Sequence, residues 1–258
     1  MSRFGGTVIL VTGAAERAGA HIALAFAAAG ATVYINHAGQ ARQAAETVAL
    51  ADERGFGGRV RVIEADISDP AAGSRMIDEI VAASGRLDVL LHNASTFRPR
   101  PFLDLELEDV DSSLGVNLRG PFLLSQAAAR VMVAQGSGRI LAILGNSLTE
   151  AWPDLVPHIV SKTGLGRLME QLAVALSPHV QCNSVAPTQF FRSDDGTNDA
   201  LRRARGETAV VGATTTVKGI DVIESTIDDV VHVLMFLADA PASLNGVTIR
   251  VDGGRLHI

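Results

Sequence analysis

A single cysteine, Cys182, stands in a chain of 258 residues. No intramolecular disulfide is possible, and the residue reads as a small apolar filler beside a strand. Lysine and arginine form no block, and the formal net charge is −6. That excludes nucleic acid or an anionic membrane as the main partner, while leaving room for a small anionic ligand at one local site. No apolar run approaches the ~18 residues of a membrane span. The opening "MSRFGGTVILVTGAA" is too short and too interrupted for a signal peptide, so a cytoplasmic protein is expected. No metal site is expected. Tyrosine is as scarce as cysteine: Tyr34 is the sole example.

Apolar residues, by contrast, make up 47% of the chain and charged ones 19%, enough for a sizeable core. β-Branched runs alternate with alanine-rich helical runs. Strands are expected at 7–12, 31–36, 59–66, 86–93, 138–144, 179–185 and 246–254, with long helices near 107–135 and 155–177. Strands this apolar on both faces belong to a parallel sheet covered by helices. The regular alternation predicts one doubly wound α/β domain over 1–258 with a seven-stranded sheet. Gly30, Gly55, Gly85 and Gly136 mark helix stops. Residues 188–226 are polar and weakly periodic, and read as an irregular lid or binding insertion.

The turn "VTGAAERAGA" (11–20) joins the first strand to the first helix. Gly13 and Gly19 give permissive backbone there, and a helix N-terminus beside them favours a pyrophosphate. The pattern Thr12 to Gly19, with "EADISD" (64–69), "LLHNAS" (90–95), "GVNLRGPFLLSQA" (115–127), "CNSVAP" (182–187) and "VDGGR" (251–255) in order, resembles the short-chain dehydrogenase/reductases over nearly the whole chain. Arg17, where most members carry glycine, and the arginine-bearing ending resemble the pteridine reductase and dihydromonapterin reductase branch.

The resemblance implies a nicotinamide dinucleotide held by Gly13, Arg17, Ala18, Gly19, Asn36, His37, Asp66, Ile67, Asn93, Ala94, Ser95, Lys162 and Pro187. The second strand ends in Asn36-His37-Ala38-Gly39, with no carboxylate to repel a 2′-phosphate, which favours NADP(H) over NAD(H). Glu16 and Ala38, at places where relatives often carry bases, oppose that preference. His37 is equally readable as a solvated loop residue.

The family pairs an ionisable tyrosine with a lysine one helical turn later. In "PHIVSKTGL" (157–165) the lysine is Lys162, and His158 stands at the tyrosine position. Asn117 matches the family's helix asparagine, and Gly145 occupies the place of the assisting serine or aspartate. A lysine ammonium one turn away disfavours imidazolium, which makes His158 a poor proton donor at neutral pH. His158 is either an altered catalytic group or a passive polar residue. Ser147 offers a neighbouring hydroxyl, and Asp154 a carboxylate more readily read as a helix N-cap.

For substrate, Arg17, Ser95 and Phe97 match the pterin branch, where the aromatic stacks a flat guest. Gly145, Ser147 and His158 complete the candidate pocket, with Trp152, Phe190 and Phe191 at its rim. The leading expectation is an NADP(H)-dependent oxidoreductase acting on a pterin or another flat carbonyl or imine compound. A dinucleotide-binding protein without turnover, and a non-redox isomerase or dehydratase using His158, are the alternatives. Relatives imply a homotetramer through the two long helices.

Overall fold

β-Branched and leucine side chains suit a pleated surface buried on both faces, and here they build the centre of the molecule. The computed structural model describes residues 2–188 and 214–257. Among these, seven strands form one parallel sheet: β1 (Val8–Val11), β2 (Thr32–His37), β3 (Val60–Glu64), β4 (Val89–His92), β5 (Gly138–Ile143), β6 (Val180–Pro187) and the late strand β9 (Thr248–Val251). Their spatial order is β3-β2-β1-β4-β5-β6-β9, as expected for a doubly wound α/β fold. Register is in line across the centre, with Leu10 facing Tyr34 on one side and Leu90 on the other.

Helices cover both faces. α1 (Arg17–Ala28) and α2 (Ala41–Glu53) pack on one, joined by the late helix α7 (Ile227–Asp239). Ile9, Val11, Ile22, Phe26, Val33 and Leu234 close the core on that side. On the other lie α3 (Ala72–Ser84), α5 (Gly120–Gln135) and α6 (Val156–Ala175), with Leu10, Ile77, Leu90, Leu124 and Ile140 between them and the sheet. α3 and α5 stop on Gly85 and Gly136 in the left-handed conformation, as helix C-termini commonly do. Gly30 and Gly55 have positive φ as well.

Three elements differ from their sequence reading. The long helix near 107–135 is interrupted. It comprises α4 (Leu107–Leu114), a π turn over Gly115–Arg119, and α5. A π turn of this kind is a frequent mark of a functional site, and it carries Asn117. The 188–226 insertion is not irregular throughout: β7 (Thr214–Val217) and β8 (Ile220–Ile223) form an antiparallel hairpin. Its two-residue turn, Lys218-Gly219, has positive φ at both positions, the form that matches strand twist. Finally, Asp154 is not the N-cap of α6. That position is Leu155, with no side-chain cap.

Cys182 is fully buried in β6 opposite Ile140, and burial pushes its thiol up to about 12. Tyr34 is spent on structure, its hydroxyl 2.7 Å from Ser84 Oγ. No helix among the described residues is long and apolar enough to cross a membrane.

Candidate active site

The strand order reverses between β1 and β4, so a crevice opens at their C-terminal ends. Ligands of open α/β sheets bind at such a point. Thr12 Oγ1 accepts from the amides of Asn93 and Ala94, both at 3.1 Å. Asn93 Nδ2 returns two bonds of 2.9 Å, to the carbonyls of Thr12 and Gly13. Gly13 takes φ +59, and a Cβ there would lie 2.8 Å from Ala94 Cα. At Gly19 a Cβ would lie 2.6 Å from both Ala14 Cα and the Gly13 carbonyl. No side chain caps the start of α1, and its first turn holds no acid. Open backbone at a helix N-terminus, with no Cβ to fill the cradle, fits a pyrophosphate.

Arg17 has φ +56. A side chain in the left-handed region costs on the order of 1–2 kcal/mol, so the arginine keeps a conformation that glycine adopts freely. Strain of this size persists where the surroundings fix it, commonly at ligand sites. Arg17 is exposed, Ala18 half-buried and Gly19 buried.

Asn36 turns its side chain toward the phosphate turn and β3. Its Oδ1 accepts from Gly13 N at 3.3 Å and its Nδ2 donates to Ala65 O at 2.9 Å, so it shapes the phosphate turn from beneath. His37 is not a solvated loop residue. It is 3% exposed, and its Nδ1 has no hydrogen-bond partner among the described residues, with Glu64 at 4.0 Å. A buried polar atom without a partner is uncommon and marks a place for a ligand or water. Asp66 is exposed, and its Oδ1 takes the amide and hydroxyl of Ser68, each at 2.8 Å. Ile67 is buried beneath it, Ala94 and Ser95 continue from β4, and Pro187 ends β6 opposite Val251.

Asn117 and His158, two of the expected catalytic side chains, meet at the backbone of Thr96. Asn117, fully buried in the π turn, clamps Thr96 from both sides: Oδ1 accepts from Thr96 N at 2.9 Å and Nδ2 donates to Thr96 O at 3.2 Å. The same Thr96 carbonyl lies 3.0 Å from His158 Nδ1. A carbonyl only accepts, so Nδ1 carries the proton and Nε2 of the neutral ring bears the lone pair. Burial, and next the positive charge of Lys162, pull the His158 pKa down to about 4, against a smaller opposing effect of the Thr96 bond. Lys162 is 3% exposed and donates to Ile143 O at 2.8 Å; burial lowers its pKa to about 8. At neutral pH the site therefore holds a neutral imidazole beside a buried ammonium.

Phe97 is 37% exposed, and its ring meets His158 edge to face at 5.2 Å between centroids. Ser95 is exposed nearby in the chain, its Oγ 3.5 Å from Thr96 O. Gly145 leaves β5 with φ +98, opening a loop that runs to α6. Ser147 lies in a short 3-10 turn, Asn146–Leu148, its side chain outside what the structure describes. Trp152 is half-buried on that loop; Asp154 is exposed, and its carbonyl accepts from Arg100 N at 2.8 Å. Phe190 and Phe191 fall outside the described residues.

Two residues beside these groups escaped sequence reading. Thr96 acts through its backbone, which leaves no side-chain signal. His92, at the end of β4, is 1% exposed, with Nε2 2.8 Å from Ser125 Oγ and Nδ1 without a partner among the described residues. Burial and the charge of Lys162 bring its pKa to about 3.

A glycine cradle at a topological switch point, with a buried lysine and a neutral imidazole one turn apart, has the arrangement a dinucleotide site of an oxidoreductase requires. Comparison with known proteins narrows the class. A family model described as Enoyl-(Acyl carrier protein) reductase matches residues 13–255. D-threitol dehydrogenase of Mycolicibacterium smegmatis is 32% identical over 265 residues, covering 98% of this chain and 94% of its own. L-rhamnose 1-dehydrogenase (NAD(P)(+)) of a Sphingomonas species is 31% identical over 258 residues, covering 96% of each. A crystal structure of a short-chain dehydrogenase from Burkholderia cenocepacia in complex with NADP superposes with a TM-score of 0.82 at 32% identity, over 98% of this chain and 99% of that one. The chain belongs to the short-chain dehydrogenase/reductase family of oxidoreductases.

Proposed function

We propose that this protein oxidises a secondary hydroxyl of a polyhydroxylated small molecule, with NADP(H) as the preferred coenzyme and His158 Nε2 as the proton acceptor. The observation that carries this reading is the bond from His158 Nδ1 to Thr96 O. It fixes the tautomer with the Nε2 lone pair free, and the low pKa keeps that nitrogen unprotonated. Such a ring has no proton to give from Nε2; as an acceptor it is a weak base, so the transfer needs negative charge brought by coenzyme or substrate to stabilise the imidazolium. When bound, the nicotinamide supplies the hydride acceptor. The chain's own residues do the rest. Gly13, Arg17 and Gly19 offer the phosphate cradle, Asp66 an exposed carboxylate for the adenine end, and Lys162 a positive charge that holds His158 neutral. The named activities of two relatives, on threitol and rhamnose, support a sugar or polyol over a pterin.

Coenzyme preference rests on the end of β2, where residues 36–40 carry no carboxylate, and on exposed Arg17 at the mouth of the cradle. A second reading keeps the planar substrate. Phe97 stays partly exposed while its edge rests on His158, and a flat guest on that ring gains ~0.5–1.5 kcal/mol of stacking. Assembly as a homotetramer is supported by apolar side chains left exposed on the long helices, among them Leu107, Phe122, Val160 and Val174.

The test is direct. Purified protein is given NADP+ or NAD+ with L-rhamnose and D-threitol, and NADPH with dihydrobiopterin, and nicotinamide absorbance is followed. Faster reduction of NADP+ than of NAD+ with a sugar or polyol is expected. Turnover with dihydrobiopterin alone moves the assignment to the planar reading. No turnover in any arm, with coenzyme bound, overturns both and leaves a binding protein.

A further inference from the structure

The loop between β5 and α6, residues 144–155, leads from Gly145 into the helix that carries His158. Inside it, Thr149 N and Glu150 N both donate to Asn146 O at 3.0 Å. A bidentate ion pair ties the loop to a distant part of the chain, through Arg255. Nε meets Glu150 Oε1 at 2.6 Å and Nη2 meets Oε2 at 3.1 Å, across 105 positions of sequence. The pair is sheltered: the Arg255 side chain is 6% exposed and that of Glu150 16%. Planar two-point contact of this kind fixes orientation as well as distance.

Arg255 sits on a segment that also touches the end of β6 and the end of the β7–β8 hairpin. Thr188 N donates to Val251 O at 3.1 Å, and Ser225 Oγ donates to the same carbonyl. A Cβ on Gly253 would fall 2.0 Å from Ile223 O, at the foot of the β7–β8 hairpin. Residues 251–255 thus reach the end of β6, the hairpin and, through Arg255, the 144–155 loop. A small cleft between that loop and Arg250, Asp252 and Leu256 leaves about 10 Å³, room for about one water.

We propose that Arg255 is a positioning residue: through Glu150 it sets the 144–155 loop against His158, and so governs how a substrate is seated without touching the coenzyme. This rests on the reading of His158 as the reacting group, but its test does not need turnover. Backbone amide exchange and NADPH titration are measured on wild type, Arg255→Lys, the neutral pair Glu150→Leu/Arg255→Met, and the reversed pair Glu150→Arg/Arg255→Glu. Breaking one side of a sheltered ion pair strands a charge, whereas an apolar pair of similar volume preserves folding. In Arg255→Lys and in the neutral pair, amides of 144–155 exchange about tenfold faster while those of 12–19 and the NADPH affinity stay within about twofold. The reversed pair restores slow exchange. Unchanged exchange at 144–155 in Arg255→Lys overturns the proposal, as does an equal rise in both segments. Should the neutral pair fail to fold, Arg255→Lys decides the question by the same two readouts.

Discussion

The turn from Thr12 to Arg17 and the loop from Gly145 to Leu155 both leave the C-terminal ends of central strands, β1 and β5, yet they are held by different means. The first is fixed by close backbone packing and by part-buried side chains bonded to main-chain atoms. Its geometry is set by absent Cβ atoms at Gly13 and Gly19, by Thr12 and Asn93 trading bonds with main-chain atoms, and by Asn36 beneath. The second has short-range main-chain turns of its own and is tied to the rest of the chain by the Glu150–Arg255 pair and by the main-chain bond from Arg100 to Asp154. A close approach of backbone to backbone leaves no room for an added Cβ, whereas an ion pair can be exchanged one partner at a time. The dinucleotide half keeps the left-handed turn at position 17 even with arginine in place of glycine. Under the proposed reading, His158 and Gly145 at the substrate end depart from the pattern that the sequence resembles.

Gly19→Ala tests the rigid half most severely. The added Cβ meets backbone on both sides, so the turn must move, and NADPH affinity should fall by at least about 100-fold, or ~2.7 kcal/mol. Calorimetric titration reads this, and an affinity within threefold of wild type would show that the turn is less constrained than its contacts imply.

In the other half, His158→Phe keeps the aromatic contact with Phe97 and removes the proposed proton acceptor. The oxidation rate should drop by about 10²–10⁴-fold, with NADPH affinity unchanged. An unaltered rate would make the ring a passive residue.

A smaller effect is expected on stability. The folded pKa values of His92 and His158, about 3 and about 4, lie below the ordinary histidine value. The unfolded chain therefore binds more protons between pH 6.5 and pH 4, and stability falls as pH falls through that window. Between pH 7 and pH 5 the loss should reach about 2–4 kcal/mol for the two groups together, seen as a lower urea midpoint. His92→Gln should remove roughly half of it. A midpoint that does not move between those pH values would contradict the burial of both rings as neutral groups.

The seven parallel strands were legible because apolar β-branched runs recur at the spacing of a β-α unit. The glycine cradle was legible because its two glycines stand where the first strand meets the first helix. Other features lay below that signal. The π turn around Asn117 has the composition of ordinary helix. The hairpin at 214–223 uses Lys-Gly at its turn and strands of four residues, too short for alternation to register. Asn36 and His37 sit at the expected place, but whether a side chain faces ligand or core depends on which way the strand end turns. Thr96 could not be singled out at all, since what it contributes is a carbonyl oxygen.

Nitrogen NMR of the imidazoles at pH 7 addresses the proton acceptor most directly, with His158→Phe assigning the signal. The structure predicts a pyrrole-like, protonated Nδ1 and a pyridine-like Nε2 for His158, with no titration between pH 8 and pH 5. A protonated Nε2, or a charged ring titrating near pH 6.5, would contradict the account.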